Sequence, residues 1–159
     1  NHAEALRAYE EALRHDPDVP EFEVHLVTPA AVAATPGVVV HSSLTANSPE
    51  LIEQYRRADI FCLPTSGDCL PMVLAEAGAC GLPLVSTDVG AISGLVRDGV
   101  TGRLIPPGSV AHLTNALREL IVDPDERRRC GKAARELVVA EHDARRNARR
   151  IVDVLRSVA

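Results

Sequence analysis

Two acidic residues, Asp68 and Glu76, bracket the start of a predicted helix and are the side chains best suited to ligand chemistry. Asp68 falls on the loop before the helix, and Glu76 lies inside its apolar run, with seven residues between the two acids. A helix N-terminus offers unpaired backbone N–H groups and a partial positive charge, which suit a phosphate or diphosphate. An ionised carboxylate accepts hydrogen bonds through both oxygens, so Glu76 can hold a vicinal diol such as a ribose. Asp68 would address hydroxyls at the other end of the same ligand.

The helix that positions these acids is predicted over residues 71–80, with Pro71 at its first position, where a missing N–H costs little. Glu76 then lies about 7.5 Å along the helix axis, and helical side chains lean back towards the N-terminus, so its carboxylate reaches the phosphate region. The predicted backbone donors to the phosphate are Leu70, Met72 and Val73.

A simpler interpretation makes Asp68 a turn or cap residue and Glu76 a surface acid. It fits Asp68 better than Glu76. The neighbours of Glu76 from Met72 to Cys80 are apolar or glycine, and a charge in so apolar a helix needs partners or a cleft.

Strands and helices alternate along the rest of the chain. Apolar runs predict strands over residues 22–28, 38–41, 60–64, 82–86 and 102–105, and helical spacing or capping signals predict helices over 2–15, 49–58, 91–96, 110–122, 125–140 and 142–158, with Ser48 and Ser109 as N-caps. This order predicts an α/β fold with a Rossmann-like, doubly wound parallel sheet.

Ligands of such sheets bind outside the carboxyl ends of the strands, where the winding reverses. Two loops therefore matter most, the one after residue 64 and the one after residue 86. The first contains Gly67 beside Asp68, and the second contains Gly90, so both glycines join the candidate ligand-binding residues.

Composition and charge narrow the class of protein. The 159 residues are 46% hydrophobic and 25% charged, which is ordinary for one globular domain, and no apolar run is long enough to span a membrane. The net charge of −5 divides into −8 for residues 1–122 and +3 for residues 123–159, whose arginines are interpreted as solvated helix faces. An acidic body argues against nucleic acid as a partner. We expect a cytoplasmic location.

The cysteines and histidines do not suggest a metal centre. Cys62, Cys69, Cys80 and Cys130 lack the spacing of a metal site, so we expect buried, reduced thiols and no metal or cofactor. His41 ends a predicted strand, and a packing role is favoured over a ligand role.

Residues 58–108 contain the runs Ala-Asp-Ile-Phe-Cys-Leu-Pro-Thr, Glu-Ala-Gly-Ala-Cys-Gly-Leu-Pro-Leu-Val-Ser-Thr-Asp-Val-Gly and Asp-Gly-Val-Thr-Gly-Arg-Leu-Ile-Pro-Pro-Gly. These runs closely resemble the C-terminal half of retaining glycosyltransferases of the GT-B fold, the glycosyltransferase family 4 (group 1) enzymes. Weaker similarity covers nearly the whole chain and includes Pro49-Glu50-Leu51 with Tyr55.

The resemblance assigns Asp68 as the catalytic acid at the donor hexose and Glu76 to the ribose of a nucleoside-diphosphate sugar. The further donor-binding residues are Gly67, Leu70, Pro71, Met72, Val73 and Gly90. The chain departs from the family pattern at three places. Asp68 stands where glutamate is usual, Leu70-Pro71 replaces an aromatic-glycine pair, and Gly94 stands where glutamate is common.

The resemblance also implies that residues 1–159 are a single donor-binding domain, a fragment of a two-domain enzyme that lacks its first strand. The helices of residues 123–159 would pack on this domain. The acceptor would bind an N-terminal domain absent from this chain, the isolated fragment would be inactive, and the full-length protein could associate peripherally with a membrane.

Two alternatives remain open from the residues alone. One is a catalytically degenerate module that still binds a nucleotide sugar, suggested by the departures at Asp68, Pro71 and Gly94. The other is an epimerase or phosphorylase on the same fold. A phosphorylase would need a pyridoxal lysine, and Lys132, the one lysine, lies in the arginine-rich tail.

Overall fold

Parallel strands and helices alternate in the computed structural model, which describes residues 2–13 and 15–158. Residues 1, 14 and 159 belong to the predicted domain but lie outside the described residues. Residue 14 is also part of the helix predicted over residues 2–15. The strands are β1 (Val24–Val27), β2 (Val38–His41), β3 (Phe61–Leu63), β4 (Leu84–Thr87) and β5 (Gly102–Ile105). The α-helices are α1 (His2–Ala8), α2 (Pro49–Arg57), α3 (Met72–Ala79), α4 (Val110–Val122), α5 (Pro124–Glu141) and α6 (Ala144–Ser157).

Two of these helices begin at the serines that the sequence predicted as N-caps. The Ser48 hydroxyl accepts a hydrogen bond from the backbone N–H of Leu51 at the start of α2, and Ser109 accepts one from His112 at the start of α4. Both predicted N-caps are confirmed. The short helix predicted over residues 91–96 is only a 3₁₀ turn, Ile92–Gly94, and α1 continues as a π-helical segment, Tyr9–Leu13.

The described strands pair in parallel but form two sheets. One sheet contains β1 and β2, and the other has the order β3-β4-β5. The predicted doubly wound class is confirmed, while the prediction of one continuous sheet is not met by the described strands. An apolar run identifies a strand, but its hydrogen-bonding neighbour depends on the tertiary arrangement.

The three-stranded sheet is covered on both faces. Leu84 and Val85 are neighbours on β4, both fully buried, and successive strand residues point to opposite faces. Leu84 packs in a cluster with residues of α3 and α5, whereas Val85 packs with residues of α1 and α4. Helices on both faces leave the carboxyl ends of these strands as the place where loops can meet a ligand.

The two C-terminal helices, which the resemblance implied would pack on the domain, differ in burial. Helix α5 packs against α3 and buries Cys130, Ala134, Leu137 and Val138. Helix α6 has no buried residue, and its aliphatic side chains Ile151, Val152, Val154 and Leu155 are exposed. The sequence predicted a helix here but not an aliphatic face that the described residues leave exposed. No helix of the described residues is long and apolar enough to cross a membrane.

Candidate active site

The loops after β3 and β4 meet at the carboxyl end of the three-stranded sheet, as the fold class predicts. The backbone N–H of Ala91 donates a hydrogen bond to the Cys69 carbonyl at 2.7 Å. Gly90 has φ +57°, and a Cβ placed on it would lie 2.3 Å from the Asp68 carbonyl oxygen. Only glycine lets the second loop approach so closely to the backbone that carries Asp68.

Two buried hydroxyl groups fix the start of the Asp68 loop. Thr87, at the end of β4 and fully buried, donates a hydrogen bond to the Thr65 carbonyl, and Ser86 donates one to the Leu63 carbonyl at 2.7 Å. Each bond satisfies a carbonyl at the place where β3 leaves the sheet. The sequence analysis did not single out these hydroxyls, although polar residues at the end of an apolar strand were the available signal.

Asp68 is exposed and its carboxylate makes no hydrogen bond or ion pair with the described residues. The simpler interpretation of Asp68 as a helix cap is wrong, because Pro71 occupies the N-cap position of α3. The carboxylate is therefore available to a ligand.

The start of α3 differs by one residue from the prediction. Pro71 is the N-cap, with an extended ψ of 118° and no side-chain cap, so it is not the first helical residue. Met72 and Val73 are then the first helical residues, and both are exposed, whereas Leu74 is fully buried. Leu70 lies before the N-cap, and its side chain packs against the core, so its N–H belongs to the loop rather than to the first helical turn. Its role as a donor to the phosphate stays a prediction. The uncapped N–H groups are those of Met72 and Val73.

Glu76 has a partner that spacing alone could not reveal. The hydroxyl of Tyr55, on α2, donates a hydrogen bond to Glu76 Oε2 at 3.0 Å. Tyr55 is 9% exposed, and its ring lies 5.8 Å from that of Phe61 on β3. Burial and the neighbouring Glu76 raise the pKa of Tyr55 far above its usual value, so its hydroxyl stays protonated and acts as a donor. Glu76 is therefore a partnered, half-buried carboxylate rather than a free surface acid.

A cavity of about 180 Å³ opens beside Glu76, between α2 and α3. Its lining is mainly apolar, with the Glu76 carboxylate as its charged group, and consists of Asn47, Leu51, Ile52, Tyr55, Glu76 and Cys80. Asp68 and Gly67 are not among these residues, so the two acids address different parts of the surface around α3. An apolar cavity with one carboxylate suits a flat organic group that carries hydroxyls.

The cysteines form no disulfide, but their predicted burial is wrong for two of them. Cys130 is buried, Cys62 is half-buried, and Cys69 and Cys80 are exposed. Cys69 lies on the loop of Asp68, and Cys80 follows the last residue of α3. Both positions are at the ends of elements, where a cysteine can be exposed even though its sequence neighbours are apolar. Among the described residues no group of three His, Cys, Asp or Glu side chains is placed to hold a metal ion.

Parallel strands with helices on both faces, and a helix start beside two loops at the strand ends, define a Rossmann-like domain, and its similarity to solved glycosyltransferases makes it the C-terminal half of a GT-B fold. The model of the family described as glycosyl transferases group 1 matches residues 33–137 of this chain. The chain belongs to this family.

Similar proteins agree with this assignment. A D-inositol 3-phosphate glycosyltransferase of Kribbella flavida is 41% identical over 88 residues, which are 55% of this chain and 21% of that protein. The sucrose-phosphate synthase of Thermosynechococcus elongatus has 28% identity and a TM-score of 0.71, over 77% of this chain and 30% of the other. The Anabaena protein HepE, solved in complex with UDP-glucose, shares the fold with 24% identity and a TM-score of 0.68, over 77% of this chain and 33% of that one. The chain spans only about a fifth of the length of the curated relatives it matches.

Proposed function

We propose that this chain is the donor-binding part of a retaining glycosyltransferase, which moves a sugar from a nucleoside diphosphate to an acceptor hydroxyl. The observation that carries the proposal is the arrangement around α3. One end of the helix presents uncapped N–H groups and directly follows the loop that carries Asp68, and Glu76 lines a cavity further along it. Membership of the group 1 family supports the same reaction class.

Each part of this arrangement has a physical role in the proposal. The N–H groups of Met72 and Val73 would stabilise the diphosphate as it leaves with additional charge. Glu76 would accept hydrogen bonds from the ribose, and the cavity beside it would take the nucleoside. Asp68 would contact the hexose on the other side of the diphosphate. The proposal includes retention, so the transferred sugar would keep its anomeric configuration.

A thermal-shift panel tests donor binding directly. The chain is heated alone and with UDP, GDP or ADP, because a ligand that binds only the folded state raises Tm. Ligand at one hundred times its Kd adds about 2.7 kcal/mol, which corresponds to a rise of roughly 5–11 °C for a domain of this size. Glu76→Gln is expected to reduce the rise, while Glu53→Gln, an exposed acid of α2, is the matched control. No shift with any of the three nucleotides would contradict the proposal.

Two exposed cysteines allow the ligand to be located. Cys80 lines the Glu76 cavity and Cys69 adjoins Asp68, whereas Cys130 is buried. A bound nucleotide should slow alkylation of Cys80 by N-ethylmaleimide, and a bound nucleotide sugar should also slow alkylation of Cys69. Mass spectrometry of the alkylated peptides measures both rates. Protection at neither cysteine, despite a thermal shift, would place the ligand elsewhere.

A catalytically degenerate module that only binds the donor is the second candidate, favoured by the shorter acid at position 68 and by Gly94. A Cβ added to Gly94 would have no neighbour within 4 Å, so the fold leaves room for a larger side chain at this position and does not itself require glycine. Transfer by the full-length protein, with and without Asp68→Asn, separates the two candidates. Transfer that is lost in the variant supports the enzyme, and absence of transfer in the wild type supports the module.

The acceptor, the acceptor-binding N-terminal domain and peripheral membrane association remain predictions about the whole protein. The epimerase alternative would be supported instead if incubation of the full-length protein with a nucleotide sugar changed the sugar without any acceptor.

A further inference from the structure

We propose that Tyr55 is a positioning residue for the donor site, which holds the Glu76 carboxylate in the orientation that recognises the ribose diol. This inference rests on the proposed function. It goes beyond it by assigning ribose selectivity to a side chain on a different helix, one that need not touch the hydroxyls itself.

The first support is the geometry of the pair. Tyr55 and Glu76 lie on different helices, α2 and α3, and are joined by a hydrogen bond of 3.0 Å to Oε2. An unpartnered glutamate samples several rotamers and loses that freedom on binding a ligand. One oxygen held by a fixed donor restricts the carboxylate before the ligand arrives, which is the usual benefit of preorganisation.

The second support is that Tyr55 itself is fixed. Its side chain is 9% exposed, belongs to the buried cluster between α3, α5 and the sheet, and packs against Phe61 of β3. A hydroxyl on so rigid a stem can define the position of its partner. A tyrosine exposed on a helix surface could not.

The third support is the hydrogen-bonding capacity that remains on Glu76. A carboxylate offers about four lone-pair sites, and the described residues use one, from Tyr55. Oε1 and the second lone pair of Oε2 remain for two vicinal hydroxyls. The cavity that both side chains line gives the nucleoside access to them.

The test compares ribose with a sugar that lacks both hydroxyls. Calorimetry measures Kd for UDP, GDP and ADP and for their 2′,3′-dideoxy counterparts, with wild type, Tyr55→Phe, Glu76→Gln and the double variant. The wild type should prefer the ribose form by about ten-fold or more, since hydrogen bonds to a charged group are strong. Tyr55→Phe should reduce this preference about five-fold, because the ribose forms lose more affinity than the dideoxy forms. The double variant should match Glu76→Gln alone, because both changes act on the same contact.

Tyr9→Phe is the matched control. Tyr9, the other tyrosine of the chain, is 5% exposed and donates its hydroxyl to the Pro36 carbonyl at 2.7 Å, away from the cavity. Both phenylalanine variants keep the ring, so both should fold and lose a similar amount of Tm. Only Tyr55→Phe should change the ribose preference.

The outcomes separate the inference from the proposed function. A ribose preference that survives Tyr55→Phe unchanged, or an equal loss for ribose and dideoxy ligands, overturns the positioning role while donor binding stands. A wild type that binds none of the six nucleotides overturns the proposed function, and the inference with it.

Discussion

Replacement of Gly90 by alanine should displace the loop that carries Asp68, because the two loops are in backbone contact. The added Cβ would lie 2.3 Å from the Asp68 carbonyl oxygen and 2.7 Å from that of Cys69, whereas ordinary contact begins at 3.4 Å. The obstructing atoms are backbone, so no side chain can rotate away. Relief therefore requires the Asp68 loop to move by about 1 Å relative to β4, and a misplacement of this size can cost about a hundred-fold in rate.

Two other glycines serve as controls that separate the effect of the left-handed backbone from the effect of the close contact with the Asp68 loop. Gly108 has φ +74° with nothing within 4 Å of a Cβ, so Gly108→Ala carries only the cost of the left-handed backbone, about 1–2 kcal/mol. Gly94→Ala has neither a positive φ nor a close neighbour. We expect Gly94→Ala to leave Tm nearly unchanged, Gly108→Ala to lower it by roughly 2–8 °C, and Gly90→Ala to lower it further.

Donor affinity provides the decisive measurement. If Asp68 contacts the sugar and Glu76 the nucleoside, Gly90→Ala should weaken binding of a nucleotide sugar much more than binding of the bare diphosphate. Calorimetry on the same preparation gives both Kd values, and transfer by the full-length protein gives the rate. Equal behaviour of Gly90→Ala and Gly108→Ala in binding and rate would refute the assignment of this loop to the donor site.

Three further changes test the fold around the site. Thr87→Val keeps the shape of a buried side chain but leaves the Thr65 carbonyl without its donor, so urea denaturation should show a loss of about 1–3 kcal/mol. Hydrogen bonds from Arg129 and Arg103 lower the pKa of Glu126 from about 4.5 to about 2. The ionised carboxylate therefore stabilises the fold above pH 4.5, and this contribution is lost as the pH falls towards 2. Glu126→Gln should thus be less stable than wild type at pH 7, with a difference that narrows below pH 4.5 in thermal melts. Leu155→Asn, on the exposed face of α6, should change the stability of the chain by less than about 0.5 kcal/mol, and a larger loss would show that this face is buried.

Local sequence predicted the elements of this fold because their signals are local. The hydroxyls of Ser48 and Ser109 mark helix starts, and an apolar run such as the three valines of residues 38–40 marks a strand. The meeting of the loops after β3 and β4 also followed from sequence, since parallel strands end at the same edge of a sheet. What failed locally was the exact start of α3, where the ψ angle of Pro71 depends on how its loop packs.

The sequence by itself determined the α/β class, the resemblance to the group 1 glycosyl transferases, and the two acids placed before and within α3. Only the tertiary structure decided which groups these acids meet. Tyr55 reaches Glu76 from 21 residues away, and Gly90, on the loop after β4, lies against the backbone of Asp68. No spacing rule encodes such contacts, because they depend on how separate helices and strands pack together. For the same reason the sequence did not predict the exposed aliphatic face of α6, since helical spacing indicates a helix and not which of its faces another element covers.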